Sequence, residues 1–356
     1  MKIVKAIAKG IGIIITAAVL SVIIFVAVLT ATEYNPSDVE AVTPTGEAQK
    51  TLSKGDTFTI ATWNLGFGAL DETADFFMDG GQMVQPATKE ESIANVDAFK
   101  NALSEMNADV IFLQEVDTDS KRSYHVNQVD SIADGLQGYQ NAFAYNFKTL
   151  YVPYPIPPIG KVNSGIATFS QYDMSEAARV KLPCPFSYPV RLVNLKRCLL
   201  VTRIPIANSD AQLVLVNLHL EAYDDGEGKI AQTKQLKELL NEEVKAGNYV
   251  IAGGDFNQTF SNVDTSSYPL LSEDLWKPGD IDVTQFEGMT FYADNRVPTC
   301  RSLDRVLAES DRDDFQYYML DGFIVSNNLT VKSVETKDFG FKNTDHNPVT
   351  LEVQIP

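Results

Sequence analysis

The chain begins with an apolar run that is long enough to cross a lipid bilayer. From Ile11 to Thr32 no residue is charged, and the run consists mainly of Ile, Val, Leu and Ala. About 20 apolar residues in a helix span a hydrocarbon core roughly 30 Å thick. Because lipid offers the backbone no hydrogen-bond partners, only a helix is tolerated there. The sequence therefore predicts a transmembrane helix at 11–32.

A cleaved signal peptide is the alternative interpretation of this run. Signal peptides have an apolar stretch of about 7–15 residues and a small-residue cleavage site. This run is longer, and Leu29 with Ala31 matches such a site only weakly. The charged residues before the run are all basic: Lys2, Lys5 and Lys9. The positive-inside tendency then predicts a single-pass signal-anchor protein, with a short cytoplasmic segment at 1–10 and the rest outside the membrane.

The part of the chain beyond the run is acidic. Beyond residue 32 there are 26 Lys and Arg against 47 Asp and Glu, a net charge of −21. This balance argues against binding nucleic acid through a broad basic face. Residues 33–56 are polar, contain Pro and Gly, and are predicted to form a flexible tether. Residues 57–356 show no second composition break and are predicted to form one catalytic domain.

Short apolar runs rich in Val, Ile, Phe and Thr recur in this domain. They are bounded by Gly, Asn or Asp, as is typical of strands. The runs lie at 58–65, 108–116, 165–172, 211–221, 248–256, 321–327 and 349–355. Apolar residues at three- and four-residue spacing predict one helix between the first two runs and another between 221 and 248. Many strands with few helices predict a layered α/β domain.

Polar residues able to bind a cation or move a proton cluster at the ends of these runs. In chain order they are Asn64, Glu115, His219, Asp255, Asn257, Asp321, Asp345 and His346. Each alone has a plainer interpretation, such as a turn residue or a solvated acid. Together, carboxylate and amide oxygens without cysteine suit Mg²⁺ rather than Zn²⁺. Two of the three histidines lie beside acids, which favours metal-assisted hydrolysis of a phosphate ester.

Seven segments in order resemble the endonuclease/exonuclease/phosphatase superfamily, which has the deoxyribonuclease I-like fold. They are WNL (63–65), LQEVD (113–117), SGIATFSQ (164–171), NLHLE (217–221), GGDFN (253–257), LDGFIVS (320–326) and TDHNPV (344–349). The resemblance extends from about Thr57 to Ile355, and GDFN and the terminal DHNP are its most specific parts. It implies a four-layer α/β/β/α sandwich with the site at one rim of the paired sheets.

The resemblance also implies a metal site and a catalytic histidine. Glu115 is implied as the principal Mg²⁺ ligand, aided by Asn64 and Asp345, with Mn²⁺ or Ca²⁺ as alternative cations. His346 is implied to activate water or to hold the phosphoryl group. Asp321 is implied to orient its imidazole ring.

Three further roles follow from the resemblance. Asp255 and Asn257 resemble the pair that positions the nucleophile and the phosphate. His219 resembles a second histidine of the deoxyribonuclease- and sphingomyelinase-like branches, which contacts a phosphate oxygen. The implied reaction is metal-assisted attack of water on a phosphoester, without a covalent enzyme intermediate.

The substrate class is predicted from charge and from one unusual segment. Residues 142–165 combine several aromatic residues with a Pro-rich stretch, which indicates either a self-packed loop or an aromatic lip for a lipid headgroup. We expect a Mg²⁺-dependent phosphodiesterase or phosphatase that acts outside the membrane on a lipid headgroup or small phosphoester. The alternatives are a surface-anchored nuclease and a non-catalytic binding module on the same fold.

Overall fold

The computed structural model of the chain describes residues 1–224 and 226–356. The α-helices in these ranges are α1 (Lys2–Ala31), α2 (Lys89–Met106), α3 (Gln128–Gly135) and α4 (Glu227–Lys245). The strands are β1 (Val39–Val42), β2 (Thr45–Gly46), β3 (Thr57–Asn64), β4 (Val110–Asp117), β5 (Gln140–Val152), β6 (Gly160–Ser170), β7 (Glu176–Lys181), β8 (Cys198–Pro205), β9 (Gln212–His219), β10 (Tyr249–Asp255), β11 (Gln258–Phe260), β12 (Gly279–Ile281), β13 (Met289–Tyr292), β14 (Cys300–Arg301), β15 (Tyr317–Tyr318), β16 (Asp321–Ser326), β17 (Thr330–Thr336) and β18 (Val349–Gln354).

Two seven-stranded sheets form the centre of the domain. The first sheet has the strand order β1-β7-β8-β9-β10-β16-β13, and the second has the order β17-β18-β3-β4-β6-β5-β2. Phe112 and Leu200 belong to the apolar core between the sheets. On the outer faces, α4 packs through Leu236 on the first sheet, whereas α2 packs through Phe99 and α3 through Ile132 on the second. The predicted four-layer α/β/β/α sandwich is therefore confirmed.

The predicted strands and helices are found where the apolar patterns indicated them. The seven runs correspond to β3, β4, β6, β9, β10, β16 and β18, and the two helical patterns correspond to α2 and α4. The segment 142–165, for which a self-packed loop was one of two predictions, is mostly β-strand. It belongs to a long hairpin in which β5 pairs with β6, and only residues 153–159 connect the two strands.

The predicted flexible tether at 33–56 lies along the domain instead. Strand β1 pairs with β7, β2 pairs with β5, and Leu52 is buried and forms a bridge with Ile206. The composition did not indicate these short strands, because edge pairing uses the backbone N–H and C=O groups rather than apolar side chains.

The apolar helix α1 is long and apolar enough to cross a membrane. A helix of this kind near the N-terminus fits either an anchor or a signal sequence. Its last turns pack on the domain, where Leu29 is buried in a cluster with Phe147 and Val152. Just after the helix, the carboxylate of Glu33 accepts a hydrogen bond from Lys196 Nζ at 3.0 Å. The end of the helix is thus held against the domain.

Candidate active site

Three of the predicted site residues lie side by side because neighbouring strands meet at one rim of the first sheet. Strands β9 and β10 are parallel, and their register pairs His219 with Asp255. Strand β16 runs antiparallel to β10, and its register pairs Asp321 with the same Asp255. From the second sheet, Asn64 at the end of β3 reaches this row, since its Nδ2 donates to Asp255 Oδ2 at 2.9 Å.

Glu115 is directed into the site by a bulge in β4. The register between β4 and β6 shifts between Leu113 and Val116, and Glu115 has a φ of 52°. A non-glycine residue in the left-handed region costs about 1–3 kcal/mol, and a bulge re-aims a side chain. The Glu115 carboxylate accepts a hydrogen bond from Asn64 Nδ2 at 3.2 Å. Burial raises the pKa of Glu115 to about 7.

Asp255 is the centre of the cluster. Its Oδ2 lies 3.5 Å from His219 Nε2 and 3.7 Å from His346 Nε2. Its Oδ1 accepts a hydrogen bond from the backbone N–H of Asn257 at 2.9 Å. Asn257 also donates through Nδ2 to the Leu220 carbonyl at 2.9 Å, so it fixes the loop that presents Asp255. Burial raises the pKa of Asp255 to about 6.

The glycine before Asp255 is required by close packing of two strands. Gly254 has a φ of 148°, and a Cβ atom there would lie 1.9 Å from the Leu218 carbonyl oxygen. Only glycine tolerates this backbone and this approach. The GGD sequence therefore brings β10 close to β9 at the point where Asp255 and His219 meet.

His346 and Asp321 form a buried pair. His346 Nδ1 lies 2.8 Å from Asp321 Oδ2, and Asp321 Oδ1 has no hydrogen-bond partner among the described residues. Burial alone would lower the pKa of His346, but Asp321 and the other acidic groups around it raise that pKa well above its usual value. The resulting imidazolium suits the second predicted role of His346, holding the phosphoryl group.

The pKa of His219 is shifted in the opposite direction to that of His346. Burial, followed by the positive charge of Arg197, lowers the pKa of His219 well below its usual value. Its Nδ1 has no hydrogen-bond partner within the described part of the chain. Two titratable rings whose pKa values are pushed apart can serve different functions in one reaction. His219, whose pKa is lowered, and His346, whose pKa is raised, are such a pair.

The carboxylate oxygens of the site are donors of the kind that a hard divalent cation prefers. Glu115 and Asp345 are carboxylates beside the cluster, and burial raises the pKa of Asp345 as it does that of Glu115. A nearby cation would offset the cost of ionising these buried acids. The predicted ligand Asn64 is arranged differently, because its Oδ1 accepts from the Gly66 N–H and its Nδ2 faces the carboxylates. In this structure Asn64 orients the acids, and its role as a ligand stays a prediction.

Among the described residues, two groups of side chains each offer potential ligand atoms that lie within 4.8 Å of one another. One consists of Asp255, Asp321 and His346, and the other of Cys300, Asp345 and His346. Neither group includes Glu115. Burial raises the pKa of the Cys300 thiol to about 12, and sulfur is a soft donor that suits a hard cation poorly. The carboxylates remain the donors that fit.

The cluster lies at one end of a cavity of about 200 Å³. Three arginines line this cavity that were not among the predicted site residues, because nothing in their local sequence distinguishes them from surface charge. Two are paired, Arg122 with Asp117 at 3.0 Å and Arg197 with Glu221 at 3.2 Å. The third, Arg301, is buried and has an Nε without a partner among the described residues.

Most of the remaining cavity wall is apolar, with Asp79, Asn146, Ser164, Asn194, Glu221 and Ser302 as further polar members. Its aromatic and aliphatic members are Phe67, Leu70, Phe76, Phe77, Met78, Phe147, Val152, Tyr154, Ile159, Phe186, Leu195, Ala222, Tyr223, Trp276, Leu303, Tyr318 and Leu320. The third histidine, His125, does not line the cavity; it lies at the surface with its Nδ1 2.6 Å from Asp119. The site thus joins a polar, acidic end to an apolar chamber.

Comparisons with known proteins agree with the fold. The model of the Endonuclease/Exonuclease/phosphatase family matches residues 61–340. Among solved structures, the endonuclease/exonuclease/phosphatase from Beutenbergia cavernae is 16% identical, with a TM-score of 0.58 over 84% of this chain and 72% of that chain. The protein of the same description from Bacteroides vulgatus is 15% identical, with a TM-score of 0.54 over 85% of this chain and 100% of that chain.

A third similar structure is the human Nocturnin catalytic domain with bound sulfate anion. It is 15% identical, with a TM-score of 0.51 over 88% of this chain and 97% of that chain. No curated protein matches the chain. At these identities the solved structures show the fold, and the family model shows the membership. The chain therefore belongs to the endonuclease/exonuclease/phosphatase family and is a phosphoric ester hydrolase of that type.

Proposed function

We propose that this protein is a membrane-anchored, Mg²⁺-dependent phosphoester hydrolase that acts outside the membrane on a lipid headgroup or small phosphoester. The observation that carries the proposal is the cavity, which is lined by the acids and two histidines of the cluster and by many aromatic side chains. The three basic residues before the apolar run favour a cytoplasmic segment at 1–10, a span at 11–32 and an external domain at 57–356.

Each residue at the acidic end has a separate role in the proposed hydrolysis. A divalent cation held by Glu115 and Asp345 would neutralise charge on the phosphoryl group. Asp255 holds the attacking water and takes up its proton, while His346 contacts phosphoryl oxygens as an imidazolium. Neutral His219 donates an N–H to another phosphate oxygen. The water oxygen bonds to phosphorus as the P–O ester bond breaks, and the leaving oxygen takes the bonding electron pair and is protonated by solvent, so no covalent enzyme intermediate forms.

The alternative of a nuclease is less well supported by the charges. Duplex DNA is held by several unpaired Lys and Arg on its phosphates. Of the arginines at the cavity, Arg122 and Arg197 are already paired with acids, and the chain beyond residue 32 has a net charge of −21. A non-catalytic binding module is also disfavoured, because a catalytically silent relative commonly loses its glutamate or its terminal Asp-His pair.

The test is a substrate screen of the full chain in detergent micelles with Mg²⁺, Mn²⁺ or Ca²⁺. We expect release of phosphate or headgroup from lipids or small phosphoesters, and a loss of turnover by orders of magnitude in His346→Ala with an unchanged melting temperature. Faster cleavage of plasmid DNA than of any lipid would favour the nuclease instead. Inactivity toward every phosphoester class would favour the binding module.

A further inference from the structure

We propose that the cavity takes one hydrocarbon chain of a membrane lipid while the catalytic domain rests directly on the outer face of the bilayer. The phosphoester of that lipid then lies at the acidic end of the cavity. The inference rests on the proposed function for its reaction. It adds how the substrate enters and which part of the substrate the apolar chamber recognises.

The end of the membrane helix and the cavity wall belong to one apolar cluster. From α1, Leu29 is buried in this cluster, with Phe25 and Val26 packed against it. The cluster also contains Phe147, Val152 and Ile159, with Phe77 and Leu195 packed at its edge, and these five residues line the cavity. A continuous apolar path therefore leads from the helix to the chamber that ends at the catalytic residues.

The β5–β6 hairpin meets the helix inside its apolar run. Tyr151 packs edge-on against Phe25, with ring centroids 6.0 Å apart. Phe25 precedes the end of the run at Thr32 by seven residues, which is about 10 Å of helix at 1.5 Å per residue. Interfacial elements bury their apolar side chains roughly 5–10 Å into a membrane. A helix that spans the bilayer therefore brings this hairpin to the depth of the interface.

Two loops beside the helix expose the side chains that such contact needs. In the hairpin, Ile156 is 95% exposed and Leu150 is 50% exposed. In the second loop, Tyr188 is 52% exposed and Val190 is 50% exposed, and the Tyr188 hydroxyl lies 3.3 Å from Thr30 Oγ1 of α1. Apolar and tyrosine side chains grouped around a membrane helix are typical of the water–lipid interface. We call these four residues the docking patch.

Strand pairing places both loops at the catalytic rim. The start of β6 pairs with the end of β4, where Ser164 faces Asp117, so the hairpin tip lies on the same side as Glu115. The start of β8 pairs with the end of β9, where Leu199 faces Leu218, so the loop before β8 lies on the side of His219. The site and the docking patch therefore face the same surface.

A soluble phosphoester does not account for the apolar chamber. Each methylene group that leaves water for an apolar site favours binding by about fourfold. A substrate that keeps its hydrocarbon chain gains from the chamber, whereas its short-chain analogue with the same headgroup does not. The chamber should therefore bind lipid phosphoesters in preference to water-soluble ones.

The first experiment measures the depth of the docking patch without reference to activity. The full-length Ile156→Trp protein is reconstituted in vesicles of phosphatidylcholine whose acyl chains carry bromine, a quencher of tryptophan emission. We expect the emission added by this tryptophan to fall by roughly half or more, as for a residue within the apolar interface. Lys54→Trp is the matched control, because Lys54 is exposed just before β3, at the rim opposite the site. Equal quenching of both variants, or of neither, would overturn the direct seating on the bilayer.

The second experiment tests the chamber through chain length. We compare kcat/KM for a long-chain phospholipid and its short-chain analogue, and expect Leu195→Trp to reduce the long-to-short ratio by about tenfold or more. Leu239→Trp, at a partly buried position of α4 outside the cavity, should leave the ratio unchanged. If the long-to-short ratio is unchanged in Leu195→Trp, or if the wild type shows no chain-length preference, the cavity does not bind a hydrocarbon chain. Either result would leave the proposed phosphoester hydrolysis intact.

A third measurement tests whether the cavity binds a hydrocarbon chain, and it does not require hydrolysis. Trp276 lines the cavity, so brominated chains that enter it should quench the part of the wild-type emission that Trp276→Phe removes. If the wild type hydrolyses no phosphoester, the proposed function fails, and this quenching still decides whether the chamber holds a chain. Unquenched Trp276 in brominated vesicles would overturn the chamber as a lipid site.

Discussion

The pairing of His346 with Asp321 makes a quantitative prediction for Asp321→Asn. The substitution keeps the shape of the side chain but replaces the charge-assisted hydrogen bond at 2.8 Å with a neutral one. Hydrogen bonds to charged groups contribute about 1.5–3 kcal/mol. If this stabilisation acts on the histidine that holds the transition state, its loss lowers kcat by roughly 10- to 150-fold. The backbone N–H of Asp321 still donates to Thr299 Oγ1, so the fold should survive.

The assay measures kcat on the best phosphoester from the substrate screen, together with the melting temperature. Asp294→Asn is the matched control, because Asp294 is also a buried aspartate and binds Arg296 and the Thr336 N–H outside the site. We expect the control to lose stability and keep its kcat. Wild-type kcat in Asp321→Asn would refute the idea that Asp321 supports His346 in the reaction, and equal loss of kcat in the control would show a general effect of destabilisation.

Two further predictions concern the metal and the fold. Glu115→Gln should raise the Mg²⁺ concentration needed for half-maximal activity by about tenfold or more, because one carboxylate ligand is lost; the surface variant His125→Ala should not change it. Gly254→Ala should lower the free energy of unfolding in urea by at least about 2 kcal/mol, because its Cβ would overlap the Leu218 carbonyl. A stability equal to wild type would show that β10 relaxes freely at this point.

The apolar pattern predicted a layered α/β domain, and the family resemblance predicted the four-layer sandwich and which residues would group at one rim. Apolar runs mark strands that are buried on both faces, and β4, with seven of its eight residues buried, is a clear case. Strand β3 is parallel to β4, and β9 is parallel to β10, so the polar residues at the C-terminal ends of each pair lie at the same rim. The grouping of Asn64, Glu115, His219 and Asp255 was expected from the family resemblance and because ligands in layered α/β folds collect where strand ends meet loops.

Features that depend on backbone pairing or distant contacts could not be predicted in this way. The segment 33–56 has the composition of a flexible linker, yet its backbone completes the edges of both sheets. Arg301 gives no local signal, since it reaches the site only because Cys300 forms a bridge with His346. The bulge that directs Glu115 has no glycine to reveal it, because the left-handed residue is Glu115 itself.

The acidity of the chain bears on how the domain meets a membrane. A net charge of −21 beyond residue 32 repels anionic headgroups and so does not favour holding the domain on the bilayer by charge. The docking patch instead offers isoleucine, leucine, valine and tyrosine, whose transfer from water is largely independent of salt. Screening at high ionic strength weakens the repulsion and leaves the apolar contact intact. Activity on vesicles should therefore be maintained or increase as salt rises, whereas a nuclease that held phosphates by charge would lose affinity steeply.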